Sequence, residues 1–201
     1  MSKYVVLSVE SVNYTNRAGD EVNLSNIYYF DPAEKMESRL DKGFRLLNKN
    51  VYPDFAVSDF SELPGLYDLT FRPFRNRRGK PESKLTTLNY DKPLQISQKG
   101  NSLLVFGAKR YDYQPTEGGK VIKGVQFFAI DPMGYCNDEN WVGYPLIEAS
   151  VDKGDLSQFP TVPGYYDIDL EQIRGRNGDS LYKAKSVKFV VPFGVGEVAN
   201  G

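Results

Sequence analysis

The chain has 201 residues with 25 Lys and Arg against 26 Asp and Glu, a net charge of −1, so any site for a polyanion has to be a local patch rather than a basic surface. It contains no histidine and a single cysteine, Cys136, which removes the commonest general base, the commonest metal ligand and any intrachain disulfide. Fourteen Tyr and 12 Phe, punctuated by 18 Gly and 12 Pro without long helical periodicity, predict a β protein. No opening apolar run resembles a signal peptide and no stretch approaches membrane-spanning length. The expectation is a cytoplasmic protein with no membrane partner.

In chain order, Tyr4 to Tyr14 reads as a first strand. Simple alternation puts Val5, Leu7 and Val9 on one face and Ser8, Glu10, Val12 and Tyr14 on the other. A Gly-centred turn leads to a second strand over 21–30. The charged run over 33–42, AEKMESRLDK, predicts a short helix or an ordered loop. A third strand follows from Phe44 to Val51, then a loop or one helical turn over 52–63. The fourth strand, Leu66 to Phe74, turns Tyr67, Leu69 and Phe71 inward. A basic turn, Arg75-Asn76-Arg77-Arg78-Gly79-Lys80, joins it to a fifth strand over 83–90.

The chain then repeats itself. Tyr14 answers Tyr113, Gly19 answers Gly119, and Asp31-Pro32 answers Asp131-Pro132. Gly43-Phe44 answers Gly143-Tyr144, Phe60 answers Phe159, and Pro64-Gly65-Leu66-Tyr67-Asp68 answers Pro163-Gly164-Tyr165-Tyr166-Asp167. The spacing stays at 99 or 100 throughout, which identifies a duplication. It predicts two modules, 1–96 and 101–194, with a flexible tail over 195–201. The strands of the second module fall over 104–113, 121–130, 144–151, 165–173 and 182–191. Its loop over 133–142 carries the only tryptophan, Trp141. Five short strands ordered as a hairpin, a connector and a closing hairpin predict an all-β chain of two tandem five-stranded OB-type barrels, although other small barrels share the pattern.

Catalysis finds little support. Cys136 lacks a histidine partner, no phosphate-binding glycine loop occurs, and the carboxylates Asp167 and Asp169 read as solvated strand positions. The expectation is a protein that is not an enzyme and uses no cofactor or metal. What remains is aromatic and basic. On the first strand of the second module, Lys109, Tyr111 and Tyr113 share the face away from Leu104 and Phe106, with Arg110 across the strand and Tyr14 matching Tyr113 in the first module. Bases stack on such rings while cations follow phosphates, and ordinary cross-strand tyrosine packing is the other reading. The second constellation is Arg72, Phe74, Arg75, Arg77, Arg78 and Lys80 around the basic turn, echoed by Arg174 and Arg176. These are phosphate contacts or a solvated turn.

The stretches LLVFGAKRYDYQPTEGGKVIKGVQFFAID and VPGYYDIDLEQIRGRNGDSLYKAKSVKFV resemble the small single-stranded DNA-binding proteins of filamentous phages and rolling-circle replicons, the gene V type. The resemblance lies in the pattern of strands and turns across most of each module. It implies OB-type barrels that pair into dimers and coat single-stranded DNA in phage or plasmid replication without strong sequence preference. It further implies replication proteins as partners and the bacterial cytoplasm as the location. Here the modules are fused, so the expected state is a monomer with an internal pseudo-dimer, or a higher homo-oligomer. A β-rich interaction, inhibitor or virion-structural module is the competing expectation.

Overall fold

The computed structural model describes residues 3–16, 19–51, 55–60, 62–75, 79, 81–114, 119–174 and 180–194. Among them are fourteen strands and no α-helix: β1 (Lys3–Thr15), β2 (Glu21–Phe30), β3 (Lys35–Glu37), β4 (Asp41–Phe44), β5 (Leu47–Val51), β6 (Gly65–Arg75), β7 (Pro81–Pro93), β8 (Leu103–Tyr113), β9 (Ile122–Ile130), β10 (Cys136–Asn137), β11 (Trp141–Gly143), β12 (Leu146–Asp152), β13 (Gly164–Arg174) and β14 (Ser180–Pro192). Single 3-10 turns at Val57–Asp59 and Leu156–Gln158 precede β6 and β13. The all-β class expected from the sequence is therefore observed. The tail over 195–201 lies outside the described residues.

The chain divides into two compact units, and neither is a continuous stretch. The first comprises Met1–Pro32, Leu47–Gln95 and Tyr135–Pro145; the second comprises Ala33–Leu46, Ile96–Gly134 and Leu146–Gly201. In the first unit β1 pairs antiparallel with β2, β6 and β11, β2 pairs with β5, β6 with β7, and β10 with β11. In the second, β8 pairs with β9, β9 with β12, β12 in parallel with β14, β14 with β13, and β13 again with β8. The hairpin β3–β4 adds to the same sheet through β8. Each unit thus carries a short hairpin encoded in the opposite half of the chain.

These hairpins correct the expectation of a helix or loop over 33–42 and of a loop over 133–142. Both segments are charged and too short to show alternation, yet each finds a strand edge to extend. Gly43 in β4 and Gly143 in β11 sit at φ of +80° and +100°. A side chain at Gly43 would run into the Phe106 carbonyl and Val162, and one at Gly143 into the Leu7 carbonyl. The glycines let backbone lie against backbone where each hairpin docks. The expected third strands over 44–51 and 144–151 start late instead: β4 stops at Phe44 and β5 begins at Leu47, with the same break between β11 and β12.

A second correction concerns which way the first strand of each unit faces. A bulge lies between Val6 and Ser8 in β1 and between Val105 and Gly107 in β8. One extra residue, Leu7 or Phe106, has no partner of its own, and the alternation shifts by one beyond it. Val6 and Val9, not Val5 and Val9, therefore share the core of the first unit with Ile27, Tyr29, Phe60 and Tyr67. Likewise Val105 and Ala108 enter the core of the second unit with Val125, Phe127 and Phe159. Lys109, Tyr111 and Tyr113 then lie on the same face as Leu104, not the opposite one, because their partners Gln126, Gly124, Ile122 and Ile130 all share one face of β9.

The cores repeat in detail. Phe60 packs against Tyr67 and Phe159 against Tyr166, with ring centroids 5.9 and 5.4 Å apart. Both tyrosines are buried, and each hydroxyl donates to a nearby carbonyl: Tyr67 to Glu62 at 3.1 Å, Tyr166 to Thr161 at 2.7 Å. Burying rings of this size supplies roughly 1.5–3 kcal/mol each, and the hydroxyl bonds remove the penalty for their polar ends. No helix among the described residues is long and apolar enough to cross a membrane.

Candidate functional site

The outer face of the second unit carries a groove of about 440 Å³. Its floor is β12, whose residues Glu148, Ser150 and Asp152 point to one side by the pleat. One wall is the end of the β8–β9 hairpin, with Tyr111, Tyr113 and Ile122; the other is the end of the β13–β14 hairpin, with Ile173, Leu181 and Tyr182. Long two-stranded hairpins carry apolar side chains beyond the core, and several of them stay exposed. Tyr113 remains 54% exposed and Leu181 50%.

Tyr111 and Tyr113 stand two residues apart on one face with ring centroids 6.1 Å apart and planes tilted by 45°. Tyr111 is half-buried because its ring lies over Gly124, its partner in the β8–β9 register. A side chain at Gly124 would occupy the position of the Tyr111 hydroxyl, so the glycine makes room for the ring. The hydroxyl donates to the Asp152 carboxylate at 3.2 Å, and the Lys183 ammonium donates to the same carboxylate. Burial, reinforced by the Asp152 charge, raises the Tyr111 hydroxyl above its ordinary pKa. The Lys183 hydrogen bond holds Asp152 below the usual carboxylate value. Asp152 is thereby neutralised locally and fixes one ring of the tyrosine pair. Glu148 lies exposed on the floor, and among the described residues its carboxylate has no hydrogen bond or ion pair.

The other expected site residues fall in several places. Lys109 is exposed one pleat before Tyr111 on the same face, whereas Arg110 is exposed on the opposite face, its backbone amide donating to the Leu40 carbonyl at 2.7 Å. Arg174 is exposed at the end of β13, next to Ile173 of the groove. Tyr14, Arg72, Phe74 and Arg75 belong to the first unit. Tyr14 is 52% exposed at the end of β1, Arg72 and Arg75 are exposed, and Phe74 is half-buried. The Arg75 Nη1 donates to the Gly79 carbonyl at 2.9 Å, closing its own turn. Arg77, Arg78, Lys80 and Arg176 lie outside the described residues.

The matching face of the first unit is built differently. Glu10 stands where the second unit has Lys109, and it accepts a hydrogen bond of 2.8 Å from the Tyr28 hydroxyl. Tyr28 in turn stacks on Trp141, with centroids 6.0 Å apart and planes 17° from parallel. This aromatic pair is engaged with its own unit, whereas the Tyr113 ring is open. Sequence reasoning missed Tyr182, Leu181, Ile173, Ile122, Glu148 and Asp152. The signal for Leu181 and Tyr182 was present in SLYKAK, where two consecutive apolar residues on a hairpin cannot both turn inward. The floor residues could be found only from the β9–β12 register.

Among the described residues no three His, Cys, Asp or Glu side chains gather as metal ligands. The groove therefore offers π-faces, apolar contact, the Gln126 amide and Ser150 hydroxyl, and one carboxylate without a partner among the described residues, Glu148. No known protein-family model matches the chain, and no characterised protein matches it closely enough to count as a relative.

Proposed function

We propose that the chain binds single-stranded DNA through two tandem OB-type barrels and coats it during phage or plasmid replication in the bacterial cytoplasm. The observation that carries this reading is the Tyr111–Tyr113 pair at the mouth of a groove between two hairpins. The ring of pairings from β8 through β9, β12, β14 and β13 back to β8 supports the barrel type. OB-type proteins hold oligonucleotides on this part of the sheet, over the second and third strands and between the first and closing hairpins. Stacked bases contribute about 1–3 kcal/mol each. Lys109 and the arginines of the hairpins supply cations for the phosphates, and the fused modules stand in for a dimer.

The test is a titration of the protein's intrinsic fluorescence with dT oligomers of increasing length, repeated at several salt concentrations. The reading expects quenching that saturates and an affinity that falls steeply with salt, as counterion release requires. The competing reading, a protein-interaction, inhibitor or virion-structural module, draws on the exposed apolar residues Ile122 and Leu181. It expects no response to any oligomer.

A further inference from the structure

We infer that Glu148 makes the groove of the second unit a selective one, preferring bases that carry an exocyclic amino group, guanine first, over thymine. The inference rests on the single-strand-binding reading. Two carboxylates lie on the floor, and they are not equivalent. Asp152 is already satisfied by Tyr111 and Lys183. Among the described residues Glu148 has no partner, although it lines the same groove as Tyr111, Tyr113 and Tyr182.

An ionised carboxylate only accepts hydrogen bonds. It repels phosphate, so a strand lying in this groove turns its bases, not its backbone, toward the floor. Of the four bases, guanine presents two adjacent donors on its Watson–Crick edge, the ring N–H and the amino group, which match the two oxygens of one carboxylate. Cytosine and adenine each offer an amino group. Thymine offers a single ring N–H flanked by two carbonyl oxygens, and those oxygens face the carboxylate unfavourably. Stacking on tyrosine accepts any base, so a preference comes from the polar groups of the lining. The Gln126 amide and Ser150 hydroxyl both donate and accept, whereas Glu148 is the group, unpartnered among the described residues, that only accepts. In the first unit the β5 residue that matches Glu148 is Asn48, set opposite Tyr28 as Glu148 is opposite Phe128, and the Glu10 carboxylate on β1 accepts from the Tyr28 hydroxyl. The selectivity therefore belongs to the second unit.

The experiment uses the full chain and dT oligomers of roughly twelve nucleotides, within the span an OB-type site covers, each with one central thymine replaced by guanine, cytosine or adenine. A central guanine should tighten binding about tenfold over all-dT, the scale of one good bidentate base contact, with cytosine and adenine between. In the Glu148→Gln variant the guanine advantage should collapse, because the amide offers one donor and one acceptor, which thymine can match. Circular dichroism on this exposed strand position checks that the variant is folded. Equal affinity for all four probes, with dT binding intact, would overturn the inference and leave the single-strand reading standing. A guanine preference that survives Glu148→Gln would remove Glu148 from the role. Failure to bind any probe would dispose of the binding reading itself, and the inference with it.

Discussion

At the scale of single residues, the tyrosines divide into those that hold the fold and those that face out. Tyr29, Tyr67 and Tyr166 are buried, and desolvation pushes their hydroxyls up to about 12. A group whose pKa is raised on folding adds stability that is complete below its unfolded value, 10.0 here, and fades as pH climbs toward the folded value. Stability against urea should therefore hold steady up to about pH 10 and fall between 10 and 12. Tyrosinate absorbance should show a late-ionising group that includes Tyr29, Tyr67 and Tyr166. An absorbance curve with all tyrosines titrating together near 10 would contradict the assignment. Tyr113 and Tyr111 make the complementary case. Tyr113→Ala should lower single-strand affinity by roughly the stacking contribution of 1–3 kcal/mol with little change in unfolding midpoint. Tyr111→Ala should lower affinity and also loosen the fold, since it uncovers Gly124 and strips a donor from Asp152. If Tyr113→Ala bound oligomers as the parent does, the tyrosine pair would be packing alone. The pair itself was legible in the sequence as two tyrosines at i and i+2. Its face was not, because a single unpaired residue, Phe106, reverses the parity of everything after it.

Among the elements, the exchanged hairpins were the least legible and the most consequential. The long strands announced themselves, since runs such as YVVLSV and GVQFFAI are β-branched and aromatic over enough residues to show a pattern. β3, β4, β10 and β11 have two to four residues each, and the strands they dock on are distant in sequence: β4 pairs Gly43 with Gly107 of β8, and β11 pairs Gly143 with Ser8 of β1. No local periodicity reports such a contact. What the sequence did hold was the pair Gly43 and Gly143 in matching positions, and the structure supplies the reason: a positive φ and a neighbouring backbone within contact. Gly143→Ala should accordingly destabilise the first unit by about 2–4 kcal/mol, combining the cost of a left-handed conformation with a collision against the Leu7 carbonyl. Gly19→Ala is the control, since Gly19 also has positive φ but open space around it, and should cost only about 1 kcal/mol. Chemical denaturation of the two variants distinguishes them, and equal losses would show that the hairpin does not dock as described.

For the whole molecule, the duplication and the all-β class were readable because both are written in many residues at once. The exchange between halves was not, because it is a property of connectivity that two identical repeats would hide. It makes a firm prediction. A fragment spanning 101–194 lacks the β3–β4 hairpin that extends β8, and one spanning 1–96 lacks the β10–β11 hairpin that extends β1. Neither should behave as a stable monomer in size-exclusion chromatography, whereas mixing the two should yield a one-to-one complex whose unfolding midpoint rises with concentration. A 101–194 fragment that ran as a monomer and melted like the intact protein would show the exchanged hairpin to be dispensable. The same connectivity also bears on synthesis. β1 leaves the ribosome first, but residues 141–143, which cover one of its edges, follow more than a hundred residues later. At ordinary translation rates that interval is on the order of ten seconds, during which an apolar strand presents unpaired amides and carbonyls to other nascent chains. The time of greatest aggregation hazard for this protein therefore falls before its release, and slowing translation through the second half should lower the soluble yield while leaving the stability of the purified product unchanged.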